Sequence, residues 1–210
     1  MNILRKAYLH LKKEGFGSTL KRAIQKVVFD LRLLPVQIDE KLNHKRYIRE
    51  LIEKTSGKKV FVLVPCLDWN IPVFQRPHQQ AVELAKKENI HVLFLSDQYK
   101  YDTFFGIKQV NSSLDVVSNG LKAYFNEALS QASQVVLMMS WVKEAGLADS
   151  LKYDHFVYDY IDDLSLLYYC TEEMLEQQRY LMKRADVTLC TSQKLYDYAL
   201  QYSRRTVLNK

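Results

Sequence analysis

The feature that most constrains this 210-residue sequence is a series of short, uninterrupted apolar runs that begins after residue 58. Val60-Phe61-Val62-Leu63-Val64 is the first, and residues 90–95, 135–139, 156–161 and 187–190 follow, with shorter ones at 114–117 and 206–208. A strand that is apolar on both faces must be covered on both faces, which is the condition of a parallel sheet between helix layers. The segments between the runs carry helical periodicity, at residues 77–88, 121–130, 142–151, 171–184 and 193–202. Pro77 suits a first helical turn and Ser192 an N-cap. Residues 98–113 fit neither period. Alternating strands and helices predict an α/β fold: a Rossmann-like parallel sheet with helices on both faces over residues 58–210. Ligands of such sheets bind at the carboxyl ends of the strands, so the loops there are the ones to read.

The first 57 residues differ in kind. Residues 1–50 hold twelve Lys or Arg against five Asp or Glu, a net of +7, while residues 51–210 hold eighteen against nineteen. The whole-chain charge of +6 therefore belongs to an N-terminal basic segment on a nearly neutral body, which argues against a nucleic-acid-binding fold. Ile3, Leu4, Ala7, Tyr8 and Leu11 fall at helical spacing until Gly15 and Gly17. Leu20, Ile24, Val27, Val28 and Leu31 repeat it until Pro35, and Tyr47, Ile48, Leu51 and Ile52 precede Ser56-Gly57. Such basic amphipathic helices either lie on an anionic membrane surface or pack their apolar faces on the domain. From the sequence the two readings stand level.

Other classes are excluded by what is missing. No apolar run approaches the roughly 18 residues of a membrane span, and no apolar core follows the basic N-terminus as in a secretory signal. Cys66, Cys170 and Cys190 are too sparse for a disulfide framework, which fits a reduced cytoplasm. The six glycines form neither a dinucleotide fingerprint nor a phosphate-binding P-loop, and no G-x-S-x-G elbow exists. The five histidines lack metal-ligand spacing, so no metal site and no resident cofactor are expected.

Three predicted strand ends carry unusual residues. After the first strand come Asp68-Trp69 and Phe74-Gln75-Arg76-Pro77-His78, where Arg76 beside a helix N-terminus makes an electropositive spot for phosphate or carboxylate. The alternative is that Arg76 pairs with Asp68 and only fixes the loop. Ser140-Trp141 ends another strand and offers an aromatic face to a sugar, or caps the core. Tyr158-Asp159-Tyr160-Ile161-Asp162-Asp163 places three carboxylates at one strand end, which repel unless one holds a proton or a cation binds. A carboxylate with a raised pKa there suits a general base for a hydroxyl, and one of Asp162 and Asp163 is expected to cap the next helix.

These segments together resemble bacterial GT-B glycosyltransferases. The stretch Asp68-Trp69 with Phe74-Gln75-Arg76-Pro77-His78-Gln79-Gln80-Ala81 is similar to the family's opening loop and helix. The run Tyr158-Asp159-Tyr160-Ile161-Asp162-Asp163-Leu164 resembles a second segment, and Ala185-Asp186-Val187-Thr188-Leu189-Cys190-Thr191-Ser192 a third, in matching order over residues 58–208. The resemblance implies the N-terminal, acceptor-side half of a sugar transferase, with the nucleotide-sugar donor held mainly by a C-terminal half outside this chain. It implies Asp162 and Asp163 as catalytic residues facing the acceptor hydroxyl. It implies substrate binding by Asp68, Trp69, Gln75, Arg76, His78, Ser140, Trp141, Asp159 and Tyr160. Implied partners are a nucleotide-sugar and a glycan or lipid-linked acceptor in cell-surface polysaccharide assembly, with peripheral membrane contact through residues 1–50 on the cytoplasmic face. The other implied role is a non-catalytic module of the same fold that binds a glycan or a partner transferase.

Overall fold

The computed structural model describes residues 16–98 and 100–209. In chain order it contains α1 (Phe16–Thr55), β1 (Lys59–Val64), α2 (Arg76–Ala85), β2 (Ile90–Leu95), β3 (Ile107–Asn111), β4 (Leu114–Val117) and α3 (Phe125–Ala128). Then follow β5 (Gln134–Met139), α4 (Leu147–Ser150), β6 (His155–Tyr160), α5 (Glu172–Arg184), β7 (Val187–Cys190), α6 (Gln193–Ala199) and β8 (Thr206–Leu208). The strands form one eight-stranded sheet in the order β3-β4-β2-β1-β5-β6-β7-β8, parallel except for the β3–β4 hairpin. The α/β architecture is thus the one the apolar runs predict, and every predicted strand is present.

Central β1 shows how both faces are covered. Val60, Val62 and Val64 enter a core shared with α1, α3 and α5, where Leu51, Phe125 and Leu181 are fully buried. Leu63 enters the opposite core, under α2, with Ala81, Phe94 and Val116. The period-2 alternation of a strand delivers consecutive apolar side chains to different layers.

The differences from the sequence expectation have local causes. β3 reads as irregular because it is an edge strand whose Lys108, Gln109 and Asn111 are exposed, so no buried face imposes a pattern. The helices expected at residues 121–130 and 142–151 are each a 3₁₀ turn followed by one α turn, at Asn119–Tyr124 with Phe125–Ala128 and at Val142–Glu144 with Leu147–Ser150. Pro35 does not end a helix: α1 runs through it and through Gly17. A proline there removes one backbone hydrogen bond, a cost the continuous turns on either side absorb. The stripe formed by Ile3 to Leu11 lies outside the described residues.

The last turns of α1, within residues 1–57, pack against the body of residues 58–210. Ile48 and Leu51 of α1 are in the core, and Tyr47 packs edge-on against Phe105. Gly106 makes this approach feasible: at φ +100° it adopts a conformation side chains rarely take, and a Cβ there would lie 2.3 Å from the Tyr47 ring. Gly57, at φ +70°, turns the chain from α1 into β1.

A buried charge cluster fastens α1 at the same end. Lys54 Nζ donates to Asp115 Oδ1 at 2.9 Å and His91 Nε2 to Asp115 Oδ2 at 2.8 Å, with Asp115 and His91 sealed from solvent. Burial pushes the Asp115 carboxyl up, but hydrogen bonds from His91 and Lys54 outweigh it and hold it below its ordinary value. A carboxylate depressed in the folded state stabilises above its unfolded pKa, and that stabilisation fades as pH falls through the folded value. Asp115→Asn should lower stability near neutral pH by about 3 kcal/mol and flatten the loss of stability below about pH 4. Urea unfolding of both proteins across that range checks this, and an unchanged neutral midpoint would reject it.

Candidate functional site

Four chain segments meet where the sheet's strands end: the loop after β1, the start of α2, the end of β5 and the end of β6. They enclose a cavity of about 140 Å³. Its wall brings together Gln75, Arg76, Ser140, Trp141, Tyr160 and Asp162 of the sequence-predicted site. Asp68, Trp69, His78, Asp159 and Asp163 do not line it, and each has a different occupation.

Arg76 is held by Asp159. Its Nε donates to Asp159 Oδ2 at 3.1 Å and its Nη2 to Oδ1 at 3.0 Å, a bidentate pair that Gln80 Nε2 joins at 2.7 Å from Oδ2. Asp159 is 1% exposed and Arg76 27%. The sequence alternative of an Arg76–Asp68 pair is therefore corrected: the partner lies across the sheet on β6. The guanidinium keeps a rim position, and its Nη1 makes no hydrogen bond among the described residues.

Asp68 is buried and serves the loops. It accepts main-chain N–H groups of Lys100, Tyr101 and Asp102 at 2.7, 2.5 and 3.2 Å. Asp102 reciprocates by accepting from Trp69 N at 2.6 Å and Ser96 Oγ at 2.6 Å. The loops after β1 and β2 are thereby latched to each other. Trp69 packs against Phe94 and His78, at 4.9 and 5.1 Å between ring centroids. His78 is fully buried: its Nδ1 accepts from Gln75 N–H at 3.2 Å in a capping box, and its Nε2 donates to the Trp69 carbonyl at 3.0 Å. Both ring nitrogens are engaged by main-chain partners, which fixes the orientation of the ring.

The three carboxylates of the β6 end do not share one field. Asp159 faces Arg76, whereas Asp163 caps the turn Leu164–Leu166 by accepting from Ser165 N at 3.1 Å and meets Lys194 Nζ at 2.7 Å. Lys194 and the Ser165 hydroxyl hold the Asp163 carboxyl below the usual range, the reverse of a raised general base. Asp162, exposed at the cavity mouth, is the one of the three directed to ligand space. Tyr160, 3% exposed, forms part of the floor, and burial pushes its phenol far above the ordinary range.

Sequence reasoning missed the far wall. Leu164, Leu167 and Tyr169, from the turn after β6, close the cavity, and Cys66 and Leu67 form its β1 side. The run Leu164-Ser165-Leu166-Leu167-Tyr168-Tyr169 carried the available signal, a cluster of aliphatic and aromatic residues directly behind the carboxylates of the β6 end.

No protein-family model and no curated protein sequence matches the chain. Among solved structures it is similar to a sucrose-phosphate synthase from Thermosynechococcus elongatus, at a TM-score of 0.50 and 10% identity, over 72% of this chain and 47% of that one. The chain thus spans about half the length of that structure. The likeness is one of fold: the mostly parallel, helix-flanked sheet of this chain matches a Rossmann-like half of a GT-B glycosyltransferase.

Removing one partner of the Arg76–Asp159 pair leaves a buried charge uncompensated. Arg76→Ala should destabilise the domain by about 3–5 kcal/mol, and Arg76→Ala with Asp159→Ala by clearly less than the sum of the single effects. A denaturant double-mutant cycle measures the coupling, and additive effects would show that the two side chains act independently.

Proposed function

We propose that this chain is the acceptor-side lobe of a glycosyltransferase that moves a sugar from a nucleotide-sugar to a glycan acceptor. One observation carries the reading. On a sheet of the GT-B kind, the cavity at the strand ends gathers a guanidinium, a serine hydroxyl, the aromatic rings of Trp141, Tyr158, Tyr160 and Tyr169, and a solvent-facing carboxylate from separate elements. In the proposed reaction the acceptor hydroxyl oxygen bonds to the anomeric carbon of the donor. The bond from that carbon to the nucleotide diphosphate breaks, and the hydroxyl proton passes to the Asp162 carboxylate. Trp141 and Tyr160 shape the acceptor's seat, Ser140 and Gln75 supply hydrogen bonds, and Arg76 places positive charge at the rim. Asp163, by capping the turn, positions Asp162.

We assign this activity to an anionic membrane surface, the cytoplasmic face of the cell membrane, with a lipid-linked acceptor in surface-polysaccharide assembly. Two features support the assignment. Leu20, Ile24, Val27, Leu31, Leu34 and Ile38 of α1 are 48–63% exposed, and their spacing of four and three residues places them on one side of the helix. Residues 1–50 also carry a net charge of +7. No helix among the described residues is long and apolar enough to cross a membrane, so the contact proposed lies along the surface.

Two measurements test the reading. With a donor-binding lobe present, Asp162→Asn should cut sugar transfer by a factor of about 10²–10⁴ with thermal unfolding unchanged. Transfer at the normal rate would favour a non-catalytic glycan-binding or partner-binding module instead. Ile24→Glu with Leu31→Glu should abolish co-sedimentation with phosphatidylcholine–phosphatidylglycerol vesicles while leaving the fold intact, because both positions face solvent. Retained sedimentation would remove α1 from the membrane contact.

A further inference from the structure

A second, larger cavity of about 520 Å³ adjoins the first and shares Cys66, Trp141 and Tyr169 with it. Its remaining walls are Asp97, Lys143, Glu144 and Tyr168. Asp97 stands two residues beyond β2, so this cavity also opens at the carboxyl ends of strands, and its volume lies in the usual range for ligand sites.

The chemistry of the walls is mixed in sign. Glu144 is paired with Lys122 at 2.6 Å, and Lys143 Nζ lies 5.4 Å from the Trp141 ring centroid and 5.9 Å from that of Tyr169. Asp97 is half-buried, and its carboxylate makes no hydrogen bond or ion pair among the described residues. An anionic ligand would meet Asp97 and Glu144. A cationic one would meet Lys143 and Lys122, and no group of three or more metal-holding side chains occurs among the described residues. A neutral, hydroxyl-rich ligand satisfies both signs, its hydroxyls donating to the carboxylate while its C–H face lies on aromatic rings. Trp141, Tyr169 and the exposed Tyr168 supply those rings.

The chain also holds Asp97 in place. Its N–H donates to the Leu67 carbonyl at 3.3 Å. The next residue, Gln98, adopts φ +54°, a left-handed conformation that costs about 1–2 kcal/mol outside glycine. Gln98 is locked there by its own side chain, which accepts from Asn119 N at 3.0 Å and donates to the Phe104 carbonyl.

We propose that this second cavity is a saccharide subsite, in which Asp97 accepts a hydrogen bond from a hydroxyl of a neighbouring sugar unit of the acceptor while the reacting unit occupies the cavity of Arg76 and Asp162. The acceptor class is therefore an oligosaccharide of at least two units. This rests on the glycosyltransferase reading and adds acceptor length to it. Burial, then Asp68 and Glu144, push the Asp97 carboxyl up, against Lys143 and Lys122. Asp97 therefore gains its proton above the ordinary carboxylate range, and burial together with the Asp97 charge pushes the Cys66 thiol up to about 11.

The test is retention of the full 210-residue chain on an array of defined mono-, di- and trisaccharides, compared with Asp97→Asn and Tyr168→Ala. Asp97→Asn keeps the side chain's shape, and Tyr168 is too exposed for its loss to threaten folding. The wild-type chain should retain di- and trisaccharides over monosaccharides. Each variant should weaken oligosaccharide binding about tenfold, towards the monosaccharide level. Wild-type affinity should also fall as pH drops through the raised Asp97 range, and Asp97→Asn should lose that dependence. Oligosaccharide retention unaltered in both variants, or a wild type indifferent to acceptor length, overturns the subsite and leaves the glycosyltransferase reading standing. A wild-type chain that retains nothing on the array overturns both.

Discussion

The site depends on one buried ion pair. Arg76 begins α2 and Asp159 sits inside β6, two strands away from β1 across β5, so the pair bridges the sheet at the edge where its strands finish. With Gln80 on the same carboxylate, it fixes the rotation of α2 and therefore the direction of Gln75 and the loop that follows β1. A carboxylate 1% exposed would be costly alone, and the bidentate geometry is what makes it tolerable. The rim charge of Arg76 is thus a by-product of an interaction that first shapes the cavity.

Around that pair the polar residues of the loops divide their labour. Asp68 and Asp102 latch two loops through main-chain groups, the His78 ring is fixed by two main-chain partners, and Asp163 is tied to Ser165 and Lys194. These groups give rigidity, while Asp162 and Asp97 at the cavity walls have no such partners among the described residues; in the proposed reading Asp162 takes the acceptor's proton and Asp97 accepts a hydroxyl hydrogen bond. Preorganised neighbours of this kind let a short loop hold a functional side chain within small tolerances.

The apolar runs made the sheet legible because burial on both faces leaves no other composition available to them. The cavity was legible in part, through Gln75, Arg76, Ser140, Trp141, Tyr160 and Asp162, since strand-end position can be read locally. The partner of Arg76 was not, because a pairing across 83 residues leaves no periodic trace and Asp68 was merely the carboxylate on the loop just ahead of it. The same holds for Asp97, which lies in a segment without pattern and gains its character from burial and from Asp68 and Glu144, brought near only by folding. The continuation of α1 through Pro35 escaped for the opposite reason: a strong local rule was outvoted by the turns on either side.

The contact between Tyr47 and Gly106 joins two parts of the molecule that otherwise have separate business. Gly106 closes the segment that starts with Asp97, and Tyr47 belongs to the helix that carries the solvent-facing stripe of residues 20–38. Because the aromatic ring occupies the very volume a methyl group would fill, the contact sets helix and segment in register against each other. In the proposed membrane-bound state, that contact would hold the groove at one set height and tilt above the lipid, a ruler built from an atom that is not there.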